Sequence, residues 1–257
     1  MEELYWKKEK RIASIIINRS HKKNAFNLNM FQTLSVLLDE IEHDKEVKVV
    51  VLCGADGSAF SAGADISEFL QNRTSAQKAK QYNTIALKAV EKLYHFPKPT
   101  IAAIRGLAIG GGLELVLACD FRFASHESLL GITAAKLAIV YNLSSTKRLI
   151  DAVGASKAKE MLYTGKLVKA QEGHEIGLVN YVLPYEELLK SAYDYASQLA
   201  EKSSLALNGT KKVIQAVLNG DIEEDENIEQ LILASFESED YQEGIQAFLE
   251  KRKPNFK

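Results

Sequence analysis

The sequence contains few of the residues on which metal and redox sites depend. Its 257 residues include two cysteines and five histidines. Cys53 and Cys119 lie far apart in apolar stretches, and the sequence has no CxxC, HExxH or HxH spacing. These absences argue against zinc binding and dithiol redox chemistry. We therefore expect no metal site, and isolated thiols of this kind fit a reducing compartment.

Other absences limit the partners and the location of the protein. The formal net charge is -2, so the basic excess that is typical of nucleic-acid binders is missing. The start, MEELYWKKEKR, is too polar for a signal peptide, and every apolar run is too short and interrupted to cross a bilayer. These features predict a cytoplasmic protein that binds neither nucleic acid nor membrane.

The chain changes character near residue 184. Before this point, apolar stretches with strand character alternate with segments whose apolar residues have helical spacing. They predict strands at 12–18, 47–54 and 100–110 and a helix at 27–44. The segment at 71–81 is polar and contributes no predicted core residue. From 184 onward the pattern is almost entirely helical. We therefore expect an α/β core over 1–183, followed by a helical region over 184–257 that the resemblance described below makes an oligomerisation region.

Three consecutive glycines, Gly110, Gly111 and Gly112, separate a predicted strand from the predicted helix LELVLACD. The first N–H groups of a helix have no partner within it, and glycines let the backbone approach a ligand closely. A second glycine loop, FSAGADI at 60–66, also follows a strand, and neither loop has the spacing of a nucleotide-binding motif. Two such loops can direct two N–H groups at one developing oxyanion, as acyl-transfer and enolate chemistry require.

The stretches AFSAGADISEF and AIRGLAIGGGLELVLACDFRFAS resemble the two loops of the crotonase superfamily, that is, the enoyl-CoA hydratase/isomerase family. The resemblance covers nearly the whole chain, including SEDYQEGIQAFLEKRKPNF at 238–256. It implies a spiral of ββα units with a C-terminal helical trimerisation region, assembled as a homotrimer or as a hexamer of two trimers. It also implies an acyl-CoA thioester as the substrate, with coenzyme A as part of that substrate and no separate cofactor.

The resemblance further implies roles for individual residues in the two loops. The thioester oxygen would lie in an oxyanion hole between the N–H groups of Ala64 and Gly111, and Gly110 would line the substrate pocket. Coenzyme A would be bound by residues of the first loop and by the segment KKNA, namely Lys22, Ala25, Ala64, Asp65 and Ile66.

The segment 129–149 departs from the pattern of the family's hydratases, which use two glutamates and a glycine-rich turn where this chain reads YNLSST at 141–146. Glu114 matches the first, whereas the second, in a segment that typically reads FGxPE, is replaced here by Ala134. Alanine cannot transfer a proton, which puts a two-carboxylate hydration in doubt. The segment containing Thr133, Leu137 and Tyr141 is instead similar to the methylmalonyl-CoA decarboxylase branch. That branch, however, carries a histidine where this chain has Ala64.

From this departure we expect a lyase that decarboxylates a small malonyl- or methylmalonyl-CoA-type substrate through a thioester enolate. Glu114 would carry a proton or hold a water molecule, and Tyr141 would orient the substrate carboxylate. Thr133, Ala134 and Asn142 would line the pocket. If the two residues had only structural roles, Glu114 would be a core acid that accepts hydrogen bonds from backbone donors, and Tyr141 would be a core aromatic residue.

Two other functions stay open at this point. One is hydration or double-bond isomerisation of an enoyl-CoA with Glu114 as the single acid/base group. The other is binding of coenzyme A, or a scaffold role, without turnover.

Overall fold

Two β-sheets form the frame of the protein, for which a computed structural model describes residues 2–256. The strands are β1 (Leu4–Glu9), β2 (Ile12–Ile17), β3 (Val49–Gly54), β4 (Ala59–Ser61), β5 (Thr100–Ile104), β6 (Leu107–Ile109), β7 (Phe121–Ser125), β8 (Leu129–Gly131), β9 (Leu167–Lys169) and β10 (Tyr181–Leu183). The larger sheet has the order β1-β2-β3-β5-β7-β10 and the smaller one β4-β6-β8-β9. Only the pairs β1–β2 and β8–β9 are antiparallel within the described chain.

Helices connect and cover these sheets. They are α1 (Leu28–His43), α2 (Phe69–Asn72), α3 (Ala76–Tyr94), α4 (Gly111–Ala118), α5 (Leu143–Thr164), α6 (Ala170–Glu175), α7 (Tyr185–Ala200), α8 (Ser204–Asn219), α9 (Glu226–Phe236) and α10 (Glu239–Leu249). Successive strand pairs, β3 with β4, β5 with β6 and β7 with β8, each contribute one strand to each sheet. This repeated arrangement confirms the predicted α/β class and its ββα units.

The prediction of one strand over 100–110 is wrong in a way that matters for the site. The segment forms two strands, β5 and β6, which belong to different sheets and are separated at Arg105 and Gly106. Gly106 has a φ of 66°, and a Cβ at this position would lie 2.4 Å from the carbonyl oxygen of Ser58. The glycine thus permits a sharp turn that redirects the chain from the larger sheet into the smaller one.

The core has two parts, one on each side of the larger sheet. One side packs against α1, α3 and α4, whose buried faces contribute residues such as Leu34, Leu93 and Leu115. The other side packs against α7, which buries Leu188 and the alanines that follow it at four-residue spacing. Helix α7 therefore shares a core with the sheet, although it lies beyond residue 183.

The last three helices bury much less. The buried residues of α8, α9 and α10 are Gly209 and Ala247, whereas Phe248 and Leu249 are 83% and 71% exposed. The division at residue 183 and the oligomerisation role of the C-terminal region stay predictions. No helix within residues 2–256 is long and apolar enough to span a membrane. Nor does this part of the chain contain a group of three or more His, Cys, Asp or Glu residues that could hold a metal ion.

Candidate active site

The two glycine loops meet because of the order of strands in the smaller sheet. Strands β4 and β6 are parallel neighbours, so the loops that follow them leave the sheet at the same edge. The ideal Cβ position of Gly111 lies 3.5 Å from the backbone nitrogen of Ala64. The structure therefore brings together the two N–H groups for which the resemblance implies an oxyanion hole.

Both of these N–H groups are available to a ligand. Phe26 N donates to Gly63 O at 2.7 Å, and Asp65 N donates to Phe26 O at 2.8 Å, so the intervening Ala64 N–H is passed over. Gly111 is the first residue of α4, where an N–H group has no partner within the helix. Neither N–H donates to another residue of the described chain. Two unpaired backbone donors at adjacent loops form the geometry that stabilises an oxyanion.

The consecutive glycines have separate structural reasons. Gly110 has a φ of 55° and a ψ of -119°, a conformation that is strained for a residue with a side chain. A Cβ on Gly112 would lie 2.3 Å from the carbonyl oxygen of Ser61 at the end of β4. Gly112 thus allows the start of α4 to pack directly on the first loop, which fixes the spacing between the two donors.

Glu114 lies one turn into α4 and faces the same pocket. The cavity has a volume of about 180 Å³, and Glu114 is the only acidic residue of the described chain that lines it. The carboxylate accepts a hydrogen bond from Nδ2 of Asn142 at 3.1 Å. The partner of Glu114 is thus a side chain from another segment. If Glu114 had only a structural role, we would instead expect backbone donors as its partners.

Asn142 holds Glu114 in a defined orientation. It is the N-cap of α5, and its Oδ1 accepts a hydrogen bond from the backbone N–H of Ser145 at 2.9 Å. Since the oxygen of the amide is occupied there, the amide nitrogen must face Glu114. The sequence predicts Asn142 only as a pocket residue, and its capping role is what fixes the direction of the donor.

Tyr141 places its hydroxyl beside Glu114. The hydroxyl is buried and forms no hydrogen bond with the described residues. Burial, together with the neighbouring Glu114 charge, raises the pKa of Tyr141 well above its usual value. The phenol therefore stays protonated, so it can donate a hydrogen bond but cannot serve as a base near neutral pH.

The side of the pocket that faces α4 is formed by residues 133–142. Thr133 and Ala134 line the cavity at the start of a short 3-10 helix, Ala134–Leu137. Ala134 thus lines the pocket with a side chain that cannot transfer a proton. The lining continues through Leu137, Ile139 and Val140, which are all exposed apolar residues.

Most of the predicted coenzyme A residues surround the first loop. A β-bridge joins Phe26 to Ala64, which brings the segment that contains Lys22 and Ala25 beside this loop. The Lys22 ammonium is exposed and lies 4.0 Å from the Asp65 carboxylate. Ile66 is exposed and Ala25 is buried. Their contacts with coenzyme A stay predictions.

Asp65 has a structural task that the sequence did not reveal. Its carboxylate accepts hydrogen bonds from Arg19 at 2.7 Å and from the Ser67 hydroxyl at 2.6 Å. Burial alone would raise the pKa of this carboxyl, but the hydrogen bonds from Ser67 and Arg19 outweigh it and lower the pKa to about 2. The side chain anchors the first loop, which leaves backbone and neighbouring residues to contact a ligand.

Sequence reasoning missed one charged residue of the pocket. Arg73 follows α2 and lines the cavity, with its guanidinium carbon 3.9 Å from the ring centroid of Phe69. It lies in the polar segment 71–81, which indeed buries no residue completely. The available signal was an arginine four residues after an aromatic residue, directly beyond a short helix. This spacing is a weak indication that the two side chains are in contact.

Comparisons with known proteins agree with this geometry. A family model described as enoyl-CoA hydratase/isomerase matches residues 7–257. A crotonyl-CoA hydratase from Syntrophomonas wolfei is 35% identical over 256 residues, covering 99% of this chain and 98% of that relative. The mitochondrial methylglutaconyl-CoA hydratase of Mus musculus is 34% identical over 246 residues, covering 94% of this chain and 78% of that relative.

A solved structure is similar over the same extent. It is a protein of the enoyl-CoA hydratase/isomerase family from Hyphomonas neptunium, with a TM-score of 0.96 and 32% sequence identity, covering 100% of this chain and 98% of that chain. Fold, sequence and the resemblance of the two glycine loops lead to one assignment. The chain belongs to the enoyl-CoA hydratase/isomerase family, that is, the crotonase superfamily of acyl-CoA enzymes.

Proposed function

We propose that this protein hydrates the double bond of a 2-enoyl-CoA thioester, with Glu114 as its single acid/base group. The observation that carries the proposal is the position of one carboxylate, held by Asn142, beside two unpaired backbone N–H groups. The Syntrophomonas wolfei and Mus musculus relatives, both named as hydratases, support hydration over the decarboxylation expected from the sequence.

The proposed reaction needs one group that first takes and then returns a proton. Glu114 accepts a proton from a water molecule while the water oxygen bonds to C3 of the substrate. The electron pair of the double bond moves toward the thioester, and the N–H groups of Ala64 and Gly111 stabilise the resulting enolate oxyanion. Glu114 then gives its proton to C2, so that one water has been added across the bond.

In this proposal, the residues next to Glu114 orient its carboxylate. The Asn142 amide donates to one carboxylate oxygen, which leaves the other oxygen to contact water. The Tyr141 hydroxyl, which burial and Glu114 keep protonated, supplies a second donor close to the carboxylate. Gly110, Thr133 and Ala134 shape the cavity around the acyl group.

The remaining parts of the proposal concern coenzyme A and assembly. We place the adenine end of coenzyme A along the backbone of 64–66, with Lys22 and the segment that includes Ala25 beside it. We also propose a homotrimer or a hexamer of two trimers, formed through the C-terminal helices that expose Phe248 and Leu249. Sedimentation at micromolar concentration tests the assembly, and a stable monomer would refute it.

The test of the reaction is hydration of crotonyl-CoA, followed as loss of the conjugated enoyl-thioester absorbance. Glu114→Gln keeps the shape of the side chain and its contact with Asn142 but removes its basicity. We expect a loss of turnover of about 100- to 10,000-fold, which is the usual contribution of one positioned acid/base group. Unchanged turnover by a folded Glu114→Gln protein would contradict the role of Glu114.

A second candidate function rests on the facing side of the pocket. Because Ala134 replaces an acid, a substrate carboxylate on C2 would meet no second anion there. This observation favours decarboxylation of a malonyl- or methylmalonyl-CoA-type substrate through the same enolate. Release of CO2 from these thioesters, measured beside crotonyl-CoA hydration, decides between the two reactions.

A further inference from the structure

A half-buried cationic side chain, Arg73, lines the pocket without a polar partner in the described chain. The Arg73 guanidinium carbon is 3.9 Å from the ring centroid of Phe69 and 4.4 Å from that of Tyr82. Its Nε is buried and unpaired, and the guanidinium forms no hydrogen bond or ion pair with any residue from 2 to 256. Stacking on two rings fixes the position of the charge but uses none of its five N–H donors.

The charge of Arg73 persists in this setting. Burial lowers the pKa of Arg73, while Tyr82 and Glu114 act in the opposite direction. An arginine starts from so high a pKa that it stays protonated in proteins. Burial of the Nε donor without a partner costs free energy in the folded protein. Such an arrangement is typical of a site that pairs the charge with an anion from outside.

A second polar group lies at the same end of the pocket. The hydroxyl of Tyr82 is buried and has no hydrogen-bond partner in the described chain. Burial raises the pKa of Tyr82 to about 12, so the phenol keeps its proton and can donate it to a hydrogen bond. The residues that line the same cavity include the apolar side chains of Phe31, Ala86 and Leu87 and the polar side chain of Asn83.

The groups proposed to react line the same cavity as Arg73. Glu114 lines the same cavity, yet it forms no ion pair with Arg73. Ala64 and Gly111 line this cavity as well, so an acyl chain whose thioester lies between them enters the cavity that Arg73 lines. One cavity therefore contains two groups that can stabilise an anion, the pair of backbone N–H groups and Arg73, together with one acid/base group.

We propose that Arg73 binds a carboxylate at the far end of the acyl chain, so that the substrates are dicarboxylic acyl-CoA thioesters. The planar guanidinium matches a carboxylate through two parallel hydrogen bonds. Tyr82 donates a further hydrogen bond to the same carboxylate. The inference rests on the proposed function for the reaction at the thioester end, and the carboxylate specificity is an addition to it.

Binding of saturated acyl-CoA thioesters tests this specificity without turnover. The probes are matched pairs of equal chain length, with a methyl or a carboxylate end: butyryl- and succinyl-CoA, pentanoyl- and glutaryl-CoA, hexanoyl- and adipyl-CoA. Titration calorimetry on the purified protein gives the affinity of each. We expect at least one carboxylate probe to bind roughly 10- to 100-fold more tightly than its methyl partner, as a charged hydrogen-bonded pair allows.

Variants assign that preference to Arg73. Arg73→Met keeps much of the apolar stem and should abolish the preference, whereas Arg73→Lys keeps the charge and should retain part of it. Arg105→Met is the matched control, because Arg105 also stacks on an aromatic ring, that of Tyr185 at 4.1 Å, but does not line this cavity. The control should leave the ratio of affinities unchanged.

The outcomes separate this inference from the proposed function. Equal affinity for all matched pairs, or a preference that survives in Arg73→Met, overturns it. An equal loss of affinity for free coenzyme A in Arg73→Met also overturns it, because Arg73 would then bind the phosphates. Hydration of pent-2-enoyl-CoA without any carboxylate preference leaves the proposed function standing alone. Tight glutaryl-CoA binding through Arg73, with no hydration of any enoyl-CoA, leaves only this inference standing.

Discussion

The two sides of the pocket are built by different means. The donor side, residues 62–66 and 109–114, is set by parallel strands, by the contact of Gly112 with Ser61 and by an N–H group at a helix start. The facing wall, residues 133–142, is a short 3-10 turn followed by exposed apolar residues. The donor side thus depends on backbone geometry, whereas the chemistry of the facing wall depends on individual side chains.

This difference explains why the pocket has both proposed oxyanion donors but no acid on the facing wall. Stabilisation of an oxyanion uses backbone N–H groups, and both proposed donors are in place. Proton transfer needs a side chain, and Ala134 cannot supply one on the facing wall. The wall still contributes Asn142, which orients the remaining acid Glu114. A single carboxylate with a fixed partner is therefore the central feature of the proposed mechanism.

Among the changes that compare the two sides by the backbone and the facing wall, the largest expected effect comes from removing one donor of the oxyanion hole. Gly111→Pro eliminates the N–H group at the first helical position, where proline is otherwise tolerated. Loss of one such donor costs about 2.7–4 kcal/mol, or about 100- to 1000-fold in turnover. Steady-state hydration of crotonyl-CoA measures the loss.

Gly111→Ala is the matched control because it keeps the N–H group. Its Cβ would lie 3.5 Å from Ala64 N, which is an ordinary contact, so most activity should remain. Circular dichroism establishes that both variants are folded. A folded Gly111→Pro protein with full activity would show that Gly111 donates nothing to the thioester.

Placing an acid on the facing wall should raise the rate of hydration, whereas loss of an oxyanion-hole donor lowers it. Ala134→Glu supplies a second carboxylate at the position that lines the cavity. We expect hydration to rise by roughly 100-fold, at the lower end of the usual range for a positioned acid/base group. CO2 release from malonyl-CoA-type thioesters should fall, since a second anion repels the substrate carboxylate. Ala134→Gln controls for size, and an equal rise in both variants would refute the explanation.

The anchor of the donor side should be visible in the pH dependence of stability. The folded pKa of Asp65, about 2, is below its usual value of 3.8. Its contribution is therefore present above pH 4 and is lost as the pH falls toward 2, and it amounts to about 2 kcal/mol at neutral pH.

Urea unfolding at pH 6 and pH 3 measures this contribution. Roughly half of it should be lost by pH 3 in the wild-type protein, according to the same linkage relation. Asp65→Asn removes the titrating group and should show a correspondingly smaller pH dependence. Identical pH profiles for the two proteins would contradict the anchoring role.

The smallest expected effect concerns the contact between the two sides. Asn142→Ala removes the hydrogen bond to Glu114 and the N-cap of α5, whereas Asn142→Ser can keep the cap but cannot reach Glu114 in the same way. Both variants should lose about 10-fold in turnover, which corresponds to about 1.4 kcal/mol. Only Asn142→Ala should also lose about 1 kcal/mol of stability. Full activity in both variants would mean that Asn142 serves α5 alone.

The same contrast explains which features the sequence could predict. Glycines that are required by backbone contacts leave a clear pattern, so the two loops and the neighbouring Glu114 were predictable, and the ββα units followed from the family resemblance that these loops carry. Gly106 was the exception, because a single glycine inside an apolar run does not reveal that the chain passes from one sheet to another. The short strand β4 was missed for a similar reason, since three residues are too few for a periodic pattern.

Side-chain contacts across the pocket left no such pattern. The link from Asn142 to Glu114 joins residues that lie 28 positions apart, and it becomes visible only when α4 and α5 are packed. Arg73 was unpredictable because its charge in a polar segment is typical of a solvated surface. Its position against Phe69 and Tyr82 depends on how α2 meets α3.

The most direct test of the central claim is the identity of the products. The unmodified protein is incubated separately with 2-enoyl-CoA, malonyl-CoA and methylmalonyl-CoA thioesters, with methyl- and carboxylate-ended enoyl groups included, and the thioesters are analysed by mass spectrometry. A single-carboxylate hydratase predicts that an enoyl-CoA gains the mass of one water and that this gain disappears in Glu114→Gln. Loss of CO2 from a malonyl-type thioester, with no water added to any enoyl-CoA, would contradict it.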